Sequence, residues 1–123
     1  MKKHQRTLGM LIALSLFAAL AALAVGQDAK REAQLRTVRG IVTDKSEAAV
    51  PTSVVFLKNI RSNDVRSHYA DESGNYRFSG LDPNADYEIH AEKDDAQSAT
   101  HTISSFDGRK DITLNLKLDK KKN

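Results

Sequence analysis

The residues best able to do chemistry are few and scattered. Histidines stand at positions 4, 68, 90 and 101. His68, His90 and His101 fall in separate segments, so their spacing fits no local metal motif. His90 takes the polar parity of its segment and His101 shares parity with Ile103, the pattern of structural histidines. Asp71, Ser73 and Asn75 alternate as oxygen donors, like the start of a calcium loop. A full loop needs Gly at its sixth position and a bidentate Glu at its twelfth, where this chain has Tyr76 and Asp82. Glu92, Asp94 and Asp95 read as a solvated loop tip. There is no cysteine, which excludes disulfides, thiolate metal sites, a cysteine nucleophile and a lipid anchor on an amino-terminal Cys. There is no Trp either. The three tyrosines and Phe78 read as residues of the core or of strand parity, leaving Phe56 and Phe106 as a thin basis for a sugar platform. A lysine–asparagine isopeptide bond between the first and last strands has its Asn115, but the first strand offers Arg36 and Arg39 instead of Lys. This inventory predicts no enzyme, no metal and no cofactor.

The elements that carry these residues begin after an unusual amino terminus. Lys2, Lys3 and Arg6 precede an uncharged run from Leu8 to Val25. A short basic segment followed by an apolar one is the arrangement of a secretory signal. Ala22-Leu23-Ala24 and Ala24-Val25-Gly26 offer small-x-small cleavage patterns. The alternative is a retained anchor, since the run would make ~27 Å of helix against a ~30 Å hydrocarbon core. The small residues favour cleavage, giving a signal helix over 1–26, a polar spacer over 27–35 and a mature chain outside the cytoplasm, secreted or periplasmic. The net charge of +3 resides in that amino terminus, because the rest holds 16 basic and 16 acidic residues. A neutral chain with dispersed charge has no broad face for nucleic acid, and membrane contact is expected only through an uncleaved signal.

Beyond residue 36 the hydropathy alternates with period two. Strands are predicted at Thr37–Thr43, Ser53–Asn59, Arg66–Asp71, Tyr76–Ser79, Asp86–Lys93, Ser98–Phe106 and Ile112–Leu118. Turns fall at Glu72–Asn75, Leu81–Asn84 and Asp94–Gln97. Short alternating strands separated by regular turns predict an all-β, seven-stranded antiparallel Greek-key sandwich over residues 36–118. Its core is drawn from Val38, Val42, Val55, Leu57, Tyr76, Phe78, Leu81, Tyr87, Ile89, Ile103 and the Ile112–Leu118 set. Residues 119–123 read as a basic, disordered tail.

The spacing Val38-x-Gly40-x-Val42-x-Asp44, then Pro51-x-Ser53-x-Val55-x-Leu57, then Asp71-x-x-Gly74-x-Tyr76-x-Phe78-x-x-Leu81-x-Pro83, then Tyr87-x-Ile89-x-Ala91, resembles the carboxypeptidase regulatory-like domain. That family has a transthyretin-like, or prealbumin-like, β-sandwich, also grouped with carbohydrate-binding-like folds, and occurs in bacterial secreted and outer-membrane proteins. The resemblance covers about residues 36–118. Ser53 replaces the family's usual Ala, and Asn84 its usual Gly, Asn being able to take left-handed backbone. The motif has a physical sense. Gly40 suits a close backbone approach, Asp71 can accept turn amides, and Gly74 can take positive φ. Tyr76 and Phe78 supply inner-face rings, and Leu81-x-Pro83 before Tyr87 is similar to a tyrosine corner. Transthyretin-like hydrolases carry a Tyr-Arg-Gly-Ser tail, whereas this chain ends Asp-Lys-Lys-Lys-Asn.

The resemblance implies a non-catalytic accessory module, with a carbohydrate-binding module as the alternative and a transthyretin-like hydrolase as the least favoured reading. One feature exceeds this background. Ser53, Val55 and Leu57 take the inner parity, so Val54 and Phe56 point outward as a candidate interaction surface for an envelope or secreted protein. Cover by the spacer or a neighbouring loop is the competing explanation.

Overall fold

The computed structural model describes residues 34–123. The expected signal segment and most of the spacer lie outside the described residues. The chain forms β1 (Arg36–Thr43), β2 (Val54–Asn59), β3 (Val65–Tyr69), β4 (Asn75–Leu81), β5 (Tyr87–Lys93), β6 (Ala96–Gln97), β7 (His101–Ile103), β8 (Asp111–Thr113), β9 (Leu116–Lys117) and β10 (Lys120–Lys121). One sheet has the order β4-β1-β8, with β9 also paired to β1. The other has the order β10-β6-β5-β2-β3, with β7 also paired to β5.

The alternation that predicts the strands also builds the core, because successive side chains leave opposite faces of a strand. Val38, Val42, Tyr76, Phe78, Ile112 and Leu116 from the first sheet meet Val55, Leu57, Ile89, Ala91 and Ile103 from the second in one apolar cluster. The two sheets bury their inner faces against each other, and the outer faces are half-buried or exposed.

Three expectations change. The sandwich has ten short strands among the described residues rather than seven, and it is not wholly antiparallel: β1 pairs in parallel with both β8 and β9. The predicted last strand breaks at Leu114–Asn115. There Leu114 N–H donates to the Arg39 carbonyl at 2.8 Å, while Ile41 N–H donates to the Asn115 side-chain Oδ1 at 3.0 Å. A side chain thus replaces the backbone acceptor and interrupts the ladder. The predicted sixth strand also splits, because Ser98 folds in. Its Oγ accepts the Ala91 N–H at 2.8 Å and its own N–H donates to the Ala91 carbonyl at 2.9 Å.

The tail is the third correction. Lys120 and Lys121 pair with Gln97 and Ala96, and Lys122 N–H donates to the Asp95 carbonyl at 2.6 Å. Carboxylates and carbonyls of the β5–β6 hairpin supply the partners that composition alone does not reveal.

Candidate functional site

The motif residues are structural, and each has a definable task. Gly40 lies where a Cβ would meet the Leu114 carbonyl oxygen at 1.8 Å, so the backbone approach expected of it is present. Asp71 Oδ1 accepts the N–H groups of Ser73 and Asn75, each at 2.9 Å. Gly74 closes that turn at φ +77°, where the last residues of β1 pass close by. Tyr76 and Phe78 are buried with tilted rings, 6.3 Å between centroids. The Tyr76 hydroxyl donates to the Leu114 carbonyl, and burial pushes its phenol above the usual value. Leu81 is buried and Pro83 half-buried. The Tyr87 hydroxyl accepts the Asp82 N–H at 2.9 Å, a bond across the corner between β4 and β5. Asn84 keeps negative φ, so its tolerance of left-handed backbone is not used.

Among the sequence expectations Arg36 figures only as a residue that is not Lys. In the fold it is 2% exposed, at the same parity as Val38 and Val42. Its guanidinium donates to the carbonyls of Ser104 at 2.7 Å, Asp82 at 3.0 Å and Ala85 at 2.8 Å, with a longer contact to Asp107. It therefore ties the β4–β5 corner to the β7–β8 loop through backbone acceptors, a task that uses the planar fork of arginine.

The outer face of the second sheet holds the candidate site. Val54 and Phe56 of β2 lie there, half-buried. The register Val54↔Tyr69, Phe56↔Ser67 and Lys58↔Val65 places Tyr69, Ser67 and Val65 of β3 beside them. Phe56↔His90 and Val54↔Glu92 add β5. The Phe56 and His90 rings stack at 5.1 Å with an 18° interplanar angle, so β5 partly covers Phe56. His90 Nε2 lies 3.1 Å from Glu92 Oε2, and Lys122 Nζ lies 2.7 Å from Glu92 Oε1. The Lys122 hydrogen bond, with a smaller one from His90, holds the Glu92 carboxyl below its usual value. Glu92 is thus an anchor for the carboxyl-terminal segment rather than part of a solvated tip.

Tyr69 corrects the expectation that all tyrosines serve the core: it is 70% exposed, and Val65 is 58% exposed. In β3 the inner positions go to Arg66 and His68. Arg66 lies over the Phe78 ring at 5.5 Å and donates to the Ser79 carbonyl, and His68 lies 6.0 Å from the same ring. Those two residues close the side of the core, and the apolar residues of β3 face out. Small hollows of about 220 and 200 Å³ flank Phe56. A larger open cleft of about 620 Å³ at one end of the sandwich is lined by Asp44, Lys45, Lys93, Asp94 and Lys121 among others, a mixture of signs with no charge preference. Among the described residues, no three His, Cys, Asp or Glu side chains gather as a metal site.

Comparison with solved structures finds the same fold at low identity. Catechol 1,2-dioxygenase from Acinetobacter sp. ADP1 matches with TM-score 0.54 and 13% identity, over 71% of this chain and 53% of that one. The major pilin subunit of Bacillus cereus matches with TM-score 0.55 and 13% identity, over 69% and 30%. The group B streptococcus pilus 2b backbone protein matches with TM-score 0.53 and 14% identity, over 70% and 41%. The chain spans between about a third and a half of these proteins, so each contains much that this chain does not. A comparison with curated sequences finds no match. The sequence profile of the carboxypeptidase regulatory-like domain matches residues 37–119, from the start of β1 to just past β9. With Gly40, Asp71, Gly74, Tyr76 and Tyr87 each doing the work its position in the motif calls for, the chain belongs to the carboxypeptidase regulatory-like domain family.

Proposed function

We propose that this protein is an exported, non-catalytic accessory module that works by protein–protein contact at the cell envelope. The observation that carries the reading is the outer face of the second sheet, where exposed Val65 and Tyr69 lie beside half-buried Val54 and Phe56. Contiguous accessible apolar groups on a small domain mark contact surfaces. Two facts about the described residues agree with a role without chemistry: the polar motif residues are consumed by turns and corners, and the histidines lie apart. The pilin neighbours are structural proteins of the same fold, and the signal-like amino terminus supports export.

The test pairs two measurements on Phe56→Ser. The reading expects a melting temperature close to that of the parent protein and a clear loss of co-purification with envelope proteins. Unchanged co-purification with a collapsed melting temperature removes Phe56 from any interaction surface. Export is checked by intact mass of the protein recovered outside the cytoplasm, with a start at Val25 or Gln27 expected.

A second reading, carbohydrate binding, is favoured by one observation. Tyr69 exposes a ring on the same face as Phe56, the kind of flat amphipathic platform on which sugar rings pack. Retention on insoluble cell-wall polysaccharide that Tyr69→Ala abolishes would select this reading over the first.

A further inference from the structure

We infer that β3 is a self-association edge, along which two copies of this chain pair antiparallel about a two-fold axis through Ser67. This goes beyond the partner contact proposed above and does not rest on it, since it is carried by the backbone groups of the β3 edge, with Val65 and Tyr69 of the outer face only adding to it.

The amides of β3 point alternately toward β2 and away from it. Ala70 N–H donates to the Ser53 carbonyl at 2.8 Å, and Asn59 N–H donates to the Asp64 carbonyl at 2.9 Å. These contacts bracket the β2–β3 ladder, whose register is continuous from Val54↔Tyr69 to Lys58↔Val65. Hydrogen-bonded pairs alternate along an antiparallel ladder. The backbone groups of Arg66 and His68 therefore point toward β2, and those of Val65, Ser67 and Tyr69 point away from it. Among the described residues β3 pairs only with β2, so the outward N–H and C=O groups form an open edge.

Edges of this kind are ordinarily blunted by lysines, prolines or bulges. Two other edges in this fold show such devices. β10 is Lys120–Lys121, and β4 has a register irregularity against β1 and a Gly80 at φ +73°. β3 has no Lys, Pro or bulge: it is five regular residues, Val-Arg-Ser-His-Tyr, all exposed, and its one inward charge, Arg66, lies over the Phe78 ring.

The sequence of β3 also suits a copy of itself. A two-fold axis at Ser67 sets Ser67 against Ser67 and Val65 against Tyr69 of the other copy. Every outward N–H then meets an outward carbonyl. On the outer face the exposed Val65 and Tyr69 become cross-strand aromatic and β-branched partners, a favourable pairing. On the inner face Arg66 stands opposite His68 of the other copy, so the two arginines do not face each other. Such an isologous contact closes on itself and leads to a dimer, not a fibre.

The experiment follows association of the purified full-length mature chain by sedimentation across concentration. A concentration-dependent dimer is expected. Ser67→Pro removes an outward N–H without touching the β2 ladder, where an edge proline is tolerated. It should raise the monomer–dimer midpoint at least about tenfold while leaving the monomer's melting temperature near the parent value. Should Ser67→Pro fail to fold, Val65→Lys, a solvent-facing charge on the same edge, must show the same shift. The chain has no cysteine, so Ser67→Cys supplies a unique thiol. The two-fold axis predicts rapid disulfide dimers from it, and slow ones from Ser62→Cys on the preceding turn. A parent protein that stays monomeric overturns the inference, and so does a dimer that both edge variants leave intact or equal cross-linking at the two positions. Each of those results leaves the Phe56 test standing.

Discussion

Replacing Gly40 by Ala probes the tightest backbone contact of the fold. The added methyl would sit 1.8 Å from the Leu114 carbonyl oxygen, 2.6 Å from its carbon and 3.0 Å from Tyr76 Cε1. The oxygen must retreat to at least about 3 Å, and it belongs to backbone rather than to a flexible side chain. It also accepts the Tyr76 hydroxyl, and Leu114 N–H holds the Arg39 carbonyl at 2.8 Å. Moving the segment breaks both bonds and strains the adjoining Ile41–Asn115 contact. A buried phenol left without an acceptor costs about 1–3 kcal/mol, and each lost hydrogen bond costs about 1 kcal/mol. The lower backbone entropy of Ala in the unfolded chain offsets about 0.4–1 kcal/mol. The net loss is about 3 kcal/mol, which for a domain of this size lowers the melting temperature by roughly 12–24 °C. The assay is thermal unfolding followed by circular dichroism, with Gly108→Ala as control. A Cβ at Gly108 meets nothing within 4 Å, so that variant should melt within about 3 °C of the parent. A Gly40→Ala melting temperature within the same margin would refute the close approach between β1 and the β8–β9 junction.

The other predictions concern the core, the buried arginine and alkaline stability. Phe78→Ala should cost about 3–5 kcal/mol, because it empties the space of a buried ring and also removes the surface on which Arg66 and His68 rest; denaturant titration gives the value. Arg36→Lys should cost about 2–3 kcal/mol despite keeping the charge, since an ammonium cannot span the carbonyls of Ser104, Asp82 and Ala85 together. Limited proteolysis should then cut first between Ser104 and Lys110. Burial pushes the Tyr76 phenol up, so the folded state retains a proton that the unfolded state releases above pH ~10. That contribution is fully present below pH ~10 and is lost as pH climbs toward the folded value. Urea midpoints measured from pH 9 to 11 should fall less steeply for Tyr76→Phe than for the parent protein.

Much of the architecture is readable from residue order, for a physical reason. In β1, β2, β4 and β5 one face is buried and the other is not, so parity is written into Val38/Val42, Val55/Leu57, Tyr76/Phe78 and Ile89/Ala91. In β3 the same reasoning misleads. Tyr69 reads as a residue of the core or of strand parity, but register against β2 turns Arg66 and His68 toward the core, where an aliphatic stem and a cation over Phe78 do the covering. The breaks at Ser98 and Asn115 come from single side chains that bond the backbone of another strand, which local pattern does not encode. Arg36 did leave a trace: it shares parity with Val38 and Val42, and a charged residue on a buried parity signals partners. At the candidate site the outward direction of Val54 and Phe56 is legible from parity, whereas the stacking of His90 on Phe56 depends on cross-strand register.

The pairing of the first strand carries a consequence for how this protein can come into being. β1 is completed on one side by β4 and on the other by β8 and β9, with Val38 opposite Ile112 and Val42 opposite Leu116. A polypeptide delivered amino end first, from a ribosome or through a translocation pore, presents β1 long before those partners exist. Contacts of such sequence separation are slow to close, and loop-closure entropy opposes them until the intervening chain is present. β2, β3 and β5 can assemble early against β1 and β4, but the sheet they face still lacks Ile112 and Leu116. The far side of β1 therefore stays open until residues 112–118 have emerged. The sandwich is complete only when Ile112 to Leu118 dock beside β1.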